Sequence, residues 1–223
     1  MAWVAVGAVS CRTQPSTSAT NLPSTAPVNI PSGAPTGFPQ DVAADHVPVA
    51  DLVPADATIT GVWYANPAVG PSILVAYALP GADPLRRAHG LLIWRHTGGA
   101  PPWRPVFGVT DAPDSGVVQI QAAIGDATGD ASPDTLVFEN AGGSGVCGTW
   151  RVIDLANNAE VYRRHACDTT IDISRDTPGL VLRQAVYAPG DAHCCPSATR
   201  TIALVYVGQS RWKLASSAVT ANG

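Results

Sequence analysis

From about Val47 onward, β-branched, aliphatic and aromatic residues come in short runs separated by clusters of Gly, Pro, Asn and Asp. Runs this short, bounded by turn chemistry and lacking the three-to-four-residue apolar spacing of an amphipathic helix, predict strands. Four of them cover residues 59–64, 73–78, 90–95 and 103–107, with Asn66-Pro67, Pro80-Gly81 and Gly98-Gly99 in the gaps. Four more cover 117–124, 135–139, 149–155 and 160–164, and a last four cover 170–173, 180–187, 201–207 and 212–215. Each set of four takes roughly fifty residues, the period of a four-stranded propeller blade. Three blades are too few to close a ring. The fold class is therefore all-β: antiparallel four-stranded meanders arranged as a partial propeller, a sandwich or a barrel. Residues 46–218 are expected to form one all-β domain, with 110–116 as the place where it would divide.

An aromatic residue followed by a basic one recurs late in each set, as Trp94-Arg95, Trp103-Arg104, Trp150-Arg151, Tyr162-Arg163 and Trp212-Lys213. Successive strand residues point to opposite faces, so the aromatic is expected in the core and its neighbour in solvent. Strand parity also places the loops. Cys147, Cys167 and the loop 188–200 fall at one end of the meanders, and the Asp126 loop and the Asn157-Asn158 turn at the other.

Ahead of the strands the pattern is different. Residues 2–10 are apolar and uncharged, too short to span a bilayer, and end in small residues at Cys11. The stretch 1–11 resembles the end of a bacterial lipoprotein signal peptide, which implies lipidation at Cys11 and a membrane anchor at that residue. Ala8 stands where Leu is usual and no basic segment precedes the apolar one; a start further upstream would account for the latter. Residues 12–45 are rich in Pro, Ser and Thr with almost no charge, a composition expected to be a disordered tether with a reach of about 30 Å. Anchor and tether together predict a lipoprotein on the outer face of a cell membrane, or a secreted protein. The formal net charge of −4 and scattered arginines carry no basic stripe, so no nucleic-acid partner is expected.

In an exported domain the four downstream cysteines, Cys147, Cys167, Cys194 and Cys195, point to disulfides. Cys147 and Cys167 stand almost opposite each other across a hairpin turning at Asn157-Asn158, but pairing them leaves only a strained vicinal bond for Cys194 and Cys195. Adjacent residues of an extended strand face opposite ways, which favours cross-bonds from Cys194 and Cys195 to Cys147 and Cys167, each worth ~2–4 kcal/mol. Zinc at His193, Cys194 and Cys195 fits poorly, because structural zinc spaces its ligands by two to four residues.

The run from Ala188 through Asp191-Ala192-His193-Cys194-Cys195-Pro196-Ser197, with Gly142-Gly143-Ser144-Gly145-Val146-Cys147 and Cys167 upstream, resembles the C-terminal part of the LppP/LprE-type actinobacterial envelope lipoproteins. The resemblance spans roughly residues 117–215 and implies an anchored extracytoplasmic protein; it brings no activity with it. Asp126, Thr128, Asp130 and Asp134 stand at positions 1, 3, 5 and 9 of a loop that resembles the calcium loop of FG-GAP-type blades. That likeness makes calcium the one cofactor to consider, although Thr128 and Ala131 replace a carboxylate and a glycine; the competing reading is a turn whose aspartates bind their own backbone. Gly142-Gly143-Ser144-Gly145 departs from a nucleophile elbow at Val146, and a Ser144 hydrolase would need His165 or His193 beside it. The function expected is non-catalytic binding of an envelope protein or glycan. The alternatives are a calcium-assisted adhesion module and a secreted hydrolase.

Overall fold

The computed structural model describes residues 49–81, 83, 86–143 and 145–222. The expected lipidation site Cys11, the tether and Ser144 lie outside the described residues.

Among the described residues, strands and turns account for nearly all regular structure, with one 3-10 turn at Val49–Leu52. Sheet I holds β1 (Thr58–Ala65), β2 (Ser72–Ala78), β3 (His89–His96) and β4 (Trp103–Thr110). Sheet II holds β5 (Gln119–Gly125), β6 (Asp134–Asn140), β7 (Gly148–Asp154) and β8 (Ala159–Ala166). Sheet III holds β9 (Thr169–Ile173), β10 (Leu180–Val186), β11 (Ala198–Tyr206) and β12 (Trp212–Ala221). Every sheet is an antiparallel meander in chain order, as expected of short, turn-punctuated strands, and none closes into a barrel. The first strand of sheet II, β5, lies against β1, β2 and β3 and also against β9, so sheet II packs between sheets I and III.

The stacking explains the burial pattern. Every residue of β2 is buried because both of its faces are covered. Leu74 and Ala76 pack with Leu91 and Ile93 against Ile120, Val137 and Ile153 of sheet II. Ile73 and Val75 face the other way and are covered by Val49, Leu52 and Trp103, with the Trp94 indole donating to the Leu52 carbonyl at 2.9 Å. Sheet II is likewise covered twice. Its second face sends Leu136, Phe138, Trp150 and Val152 against Ile171, Leu180 and Leu182 of sheet III. Among the described residues, sheet III is covered on the face turned to sheet II, and β12 is exposed almost throughout.

Two of the aromatic-basic pairs depart from expectation for this reason. Trp103-Arg104, Tyr162-Arg163 and Trp212-Lys213 do put the basic residue in solvent, but Arg95 and Arg151 are buried. Alternation sends each of them to the opposite face from its tryptophan, and at those positions the opposite face is the other side of a filled stack. Arg151 compensates by pairing. Its Nε and Nη2 donate to both oxygens of buried Glu139 at 2.6 and 3.1 Å, and Nη1 donates to Glu160 at 2.5 Å. Glu160 reaches that face because a bulge in β8 changes the register between Val152 opposite Tyr162 and Ile153 opposite Glu160. The same bulge puts both Val161 and Tyr162 into the sheet II–III core, and the Val161 carbonyl accepts the Trp212 indole N–H at 2.8 Å. Arg95 donates to the Leu155 carbonyl and to Ser72 Oγ.

Candidate functional site

Three places carry chemistry: the cysteine rim, the acidic loop, and a cleft between sheets II and III.

At the rim, the β7–β8 register sets Gly148 opposite Ala166, which brings the preceding Cys147 and following Cys167 together as a disulfide with a Cα–Cα distance of 3.9 Å. The cross-bonds expected from the sequence are therefore not made: the antiparallel register sets Cys147 and Cys167 opposite each other. That loop nonetheless lies at the same end, as strand parity requires. His193 Nε2 is 3.3 Å from the carboxylate of Asp168, whose own N–H donates to Gly145 O at 2.7 Å. The Tyr187 ring stacks on His193 at 5.5 Å and its hydroxyl donates to the His193 carbonyl at 2.8 Å. Asp191 is the clamp of the loop. Its Oδ2 accepts the Ser197 hydroxyl at 2.5 Å, the Ala188 N–H at 2.6 Å and the Ser197 N–H at 2.9 Å, and these donors hold its carboxyl below the usual carboxylate range. Cys194 and Cys195 are exposed on a turn closed by Cys195 N–H to Ala192 O at 2.8 Å, with their sulfurs 3.0 Å apart. His165 Nδ1 meets the Thr149 hydroxyl at 3.4 Å.

The acidic loop turns its oxygens onto its own backbone. Asp126 accepts from Gly129 N–H and Ala131 N–H at 2.6 and 3.1 Å, and Asp130 from Ser132 N–H at 2.8 Å. Asp134 Oδ2 accepts from Ala127 and Thr128 N–H at 2.9 and 2.8 Å, while its Oδ1 is buried without a hydrogen-bond partner. Burial pushes Asp134 up to about 6, against the opposing pull of the Thr128 and Ala127 N–H groups. Among the described residues, no group of three or more acidic, His or Cys side chains is arranged to hold a metal. The four residues expected as calcium ligands are thus not assembled as a site; Ala131 takes the left-handed turn (φ 63°) where the calcium loop has glycine.

The third place, the cleft, has no motif in the sequence. It measures about 1020 Å³ and runs along β5, past β9, to Val181 and Arg183 on β10. Strands β5 and β9 approach closely, and a Cβ on Gly125 would lie 3.3 Å from Ile173. Leu136, Phe138, Trp150 and Ile171 form an apolar floor, with Phe138 and Trp150 stacked at 4.1 Å. The Trp150 indole nitrogen is buried without a hydrogen-bond partner. Gln121, Asp126, Asp172, Ser174, Arg175, Asp176 and Arg183 make the rim, and Asp172 and Arg183 pair at 2.6 Å while both stay more than half exposed. An apolar floor under a few polar groups is the general form of a ligand site. The sequence carries no distinct signal for it: Gln121 and Asp172 alternate with apolar neighbours, as do Gln119 and Thr170 in the same runs, in the ordinary manner of half-buried strands. No protein-family model, curated protein or solved structure matches the chain.

Proposed function

We propose that this chain is an exported, lipid-anchored envelope protein of the LppP/LprE kind, and that its β domain binds a hydroxyl-rich envelope glycan without catalysing a reaction. The cleft between sheets II and III carries the reading. Its rim sets Asp126, Asp172 and Asp176 against Arg175 and Arg183, so the charges nearly cancel and no strong field selects an ionic ligand. Carboxylate, guanidinium and amide groups over an apolar floor suit alternating hydroxyls and C–H faces. The anchor at Cys11 and the tether support the location, since a spacer of this length would hold the cleft clear of a membrane surface.

Titration calorimetry of the full chain with soluble cell-envelope polysaccharide fragments tests the binding. Saturable binding is expected, with Asp172→Ala and Arg183→Ala each weakening it about tenfold, the loss of one charge-assisted hydrogen bond. No heat at millimolar saccharide, or binding indifferent to both substitutions, would remove the cleft from the account. Mass spectrometry of the mature N-terminus tests the anchor separately: a diacylglyceryl group on Cys11 is expected, and an unmodified Cys11 would count against it.

A further inference from the structure

We propose that Cys194 and Cys195 form a thiol–disulfide exchange site, oxidised from dithiol to vicinal disulfide by a disulfide on a small molecule or a partner oxidoreductase and returned to the dithiol by thiols of the same class. The site is independent of whether the cleft binds a glycan.

Four observations converge. The sulfurs are 3.0 Å apart, about 1 Å beyond a covalent S–S bond, so closure requires little movement. Both residues are exposed, so an incoming disulfide can reach them. Cys147 and Cys167 are already bonded to each other and offer no competing thiol. The objection to a vicinal pair, that neighbouring strand residues point apart, does not apply because the two cysteines sit on a turn and not on a strand. The loop is also held from several sides: by Asp191 on Ser197 and Ala188, by Tyr187 on His193, by His193 on Asp168, and by Asn222 on the Pro196 and Ser197 carbonyls at 2.8 and 2.9 Å. A loop so tied presents two thiols together instead of letting them diffuse apart.

The chemistry balances as a two-electron exchange. One thiolate attacks the incoming disulfide to give a mixed disulfide and releases the first thiol. The neighbouring thiolate then displaces the second. Two S–H bonds and one S–S bond are lost; one S–S bond and two S–H bonds form, with the electrons ending on the incoming disulfide.

The test uses the full-length native chain in glutathione redox buffers, quenched by alkylation and digested with trypsin, since the peptide 184–200 contains both cysteines. As the buffer becomes oxidising, that peptide is expected to lose about 2 Da and its two alkylation sites together, and to regain them on reduction. Throughout, the Cys147–Cys167 link should persist. Cys195→Ser is expected to trap glutathione on Cys194 as a lasting mixed disulfide, because the resolving thiol is gone. Two alkyl groups at every poise, or a crosslink from this peptide to Cys147 or Cys167, would overturn the proposal. A double Cys194→Ala, Cys195→Ala variant whose melting temperature falls by several degrees under reducing conditions would overturn it too, by showing that the two side chains pack rather than react.

Discussion

Asp134 opens β6 with its side chain wholly buried, and it is the carboxylate whose environment departs furthest from water in a direction that has a measurable consequence. Burial raises it from 3.8 to about 6, and the neighbouring Asp130 pushes the same way; the N–H groups of Thr128 and Ala127 pull back without cancelling the effect. A carboxyl whose folded value lies above its unfolded value is more protonated in the folded state between the two. Its contribution is therefore fully present below pH 3.8 and is lost as pH rises through about 6. The difference corresponds to about 3 kcal/mol when the window has been crossed, at 1.36 kcal/mol per pH unit. The measurement is urea unfolding at intervals from pH 4 to pH 7.5 for the wild type and Asp134→Asn. Asn cannot ionise, so the variant should lack this slope, whatever its absolute stability. Burial also raises Glu139 and Asp111, and their slopes, common to both proteins, cancel in the difference. The variant should gain on the wild type by up to about 3 kcal/mol between pH 4 and pH 7.5. A difference flat to within about 0.5 kcal/mol, or one of opposite sign, would refute the reasoning.

Three further outcomes follow from packing. Arg151→Met should cost about 3–5 kcal/mol in denaturant unfolding, because it strands Glu139 in the stack; adding Glu139→Gln should restore part of the loss, and strict additivity would contradict the pairing. Gly148→Ala should cost about 1–3 kcal/mol and weaken the near-ultraviolet signal of the Phe138–Trp150 stack, since the new methyl would strike the Phe138 ring and the Glu139 carbonyl. Millimolar calcium should move the melting temperature by less than about 1 °C, given that Asp126 and Asp130 are already spent on backbone N–H groups; a rise of several degrees would mean the loop reorganises around the ion.

Each of the three meanders was legible in the sequence because strand length, turn residues and spacing are local properties. The weakest boundary was that of β12, expected to end near residue 215 but running to Ala221. Its second half, Ser216-Ser217-Ala218-Val219-Thr220-Ala221, has no alternating apolar face and bears no strand signal of its own. It is held by the ladder to β11, from Ala203 opposite Ser216 to Ala198 opposite Ala221. The disulfide was half legible. Hairpin arithmetic set Cys147 opposite Cys167, and the register bears this out; the rule that adjacent residues diverge then led to cross-bonds by treating Cys194 and Cys195 as strand residues. The Pro189-Gly190-Asp191 signal placed a turn just before them, but the second turn at residues 192–195 has no Gly or Pro of its own.

What could not be read was which faces become covered twice, and that decides both the buried charges and the cleft. A period of two separates the faces of a strand but says nothing about what lies beyond either one. Sheet II shows the consequence. Had its Arg151 face been open to water, Glu139 and Glu160 would be ordinary surface partners worth little. Closed in by sheet I, the same three residues must satisfy one another, and the bulge in β8 is the device that turns Glu160 toward them. On the other face the stacking is incomplete. Sheet III meets sheet II through Ile171, Leu180 and Leu182 but leaves a gap along β5 and β9, where the polar residues Gln121 and Asp172 stand beside an apolar floor. Sheet II thus turns an ion-paired core toward sheet I and a partly open, polar-rimmed cleft toward sheet III; under the proposed glycan binding, substitutions at Asp172 and Arg183 should cost affinity while those at Arg151 and Glu139 cost the fold.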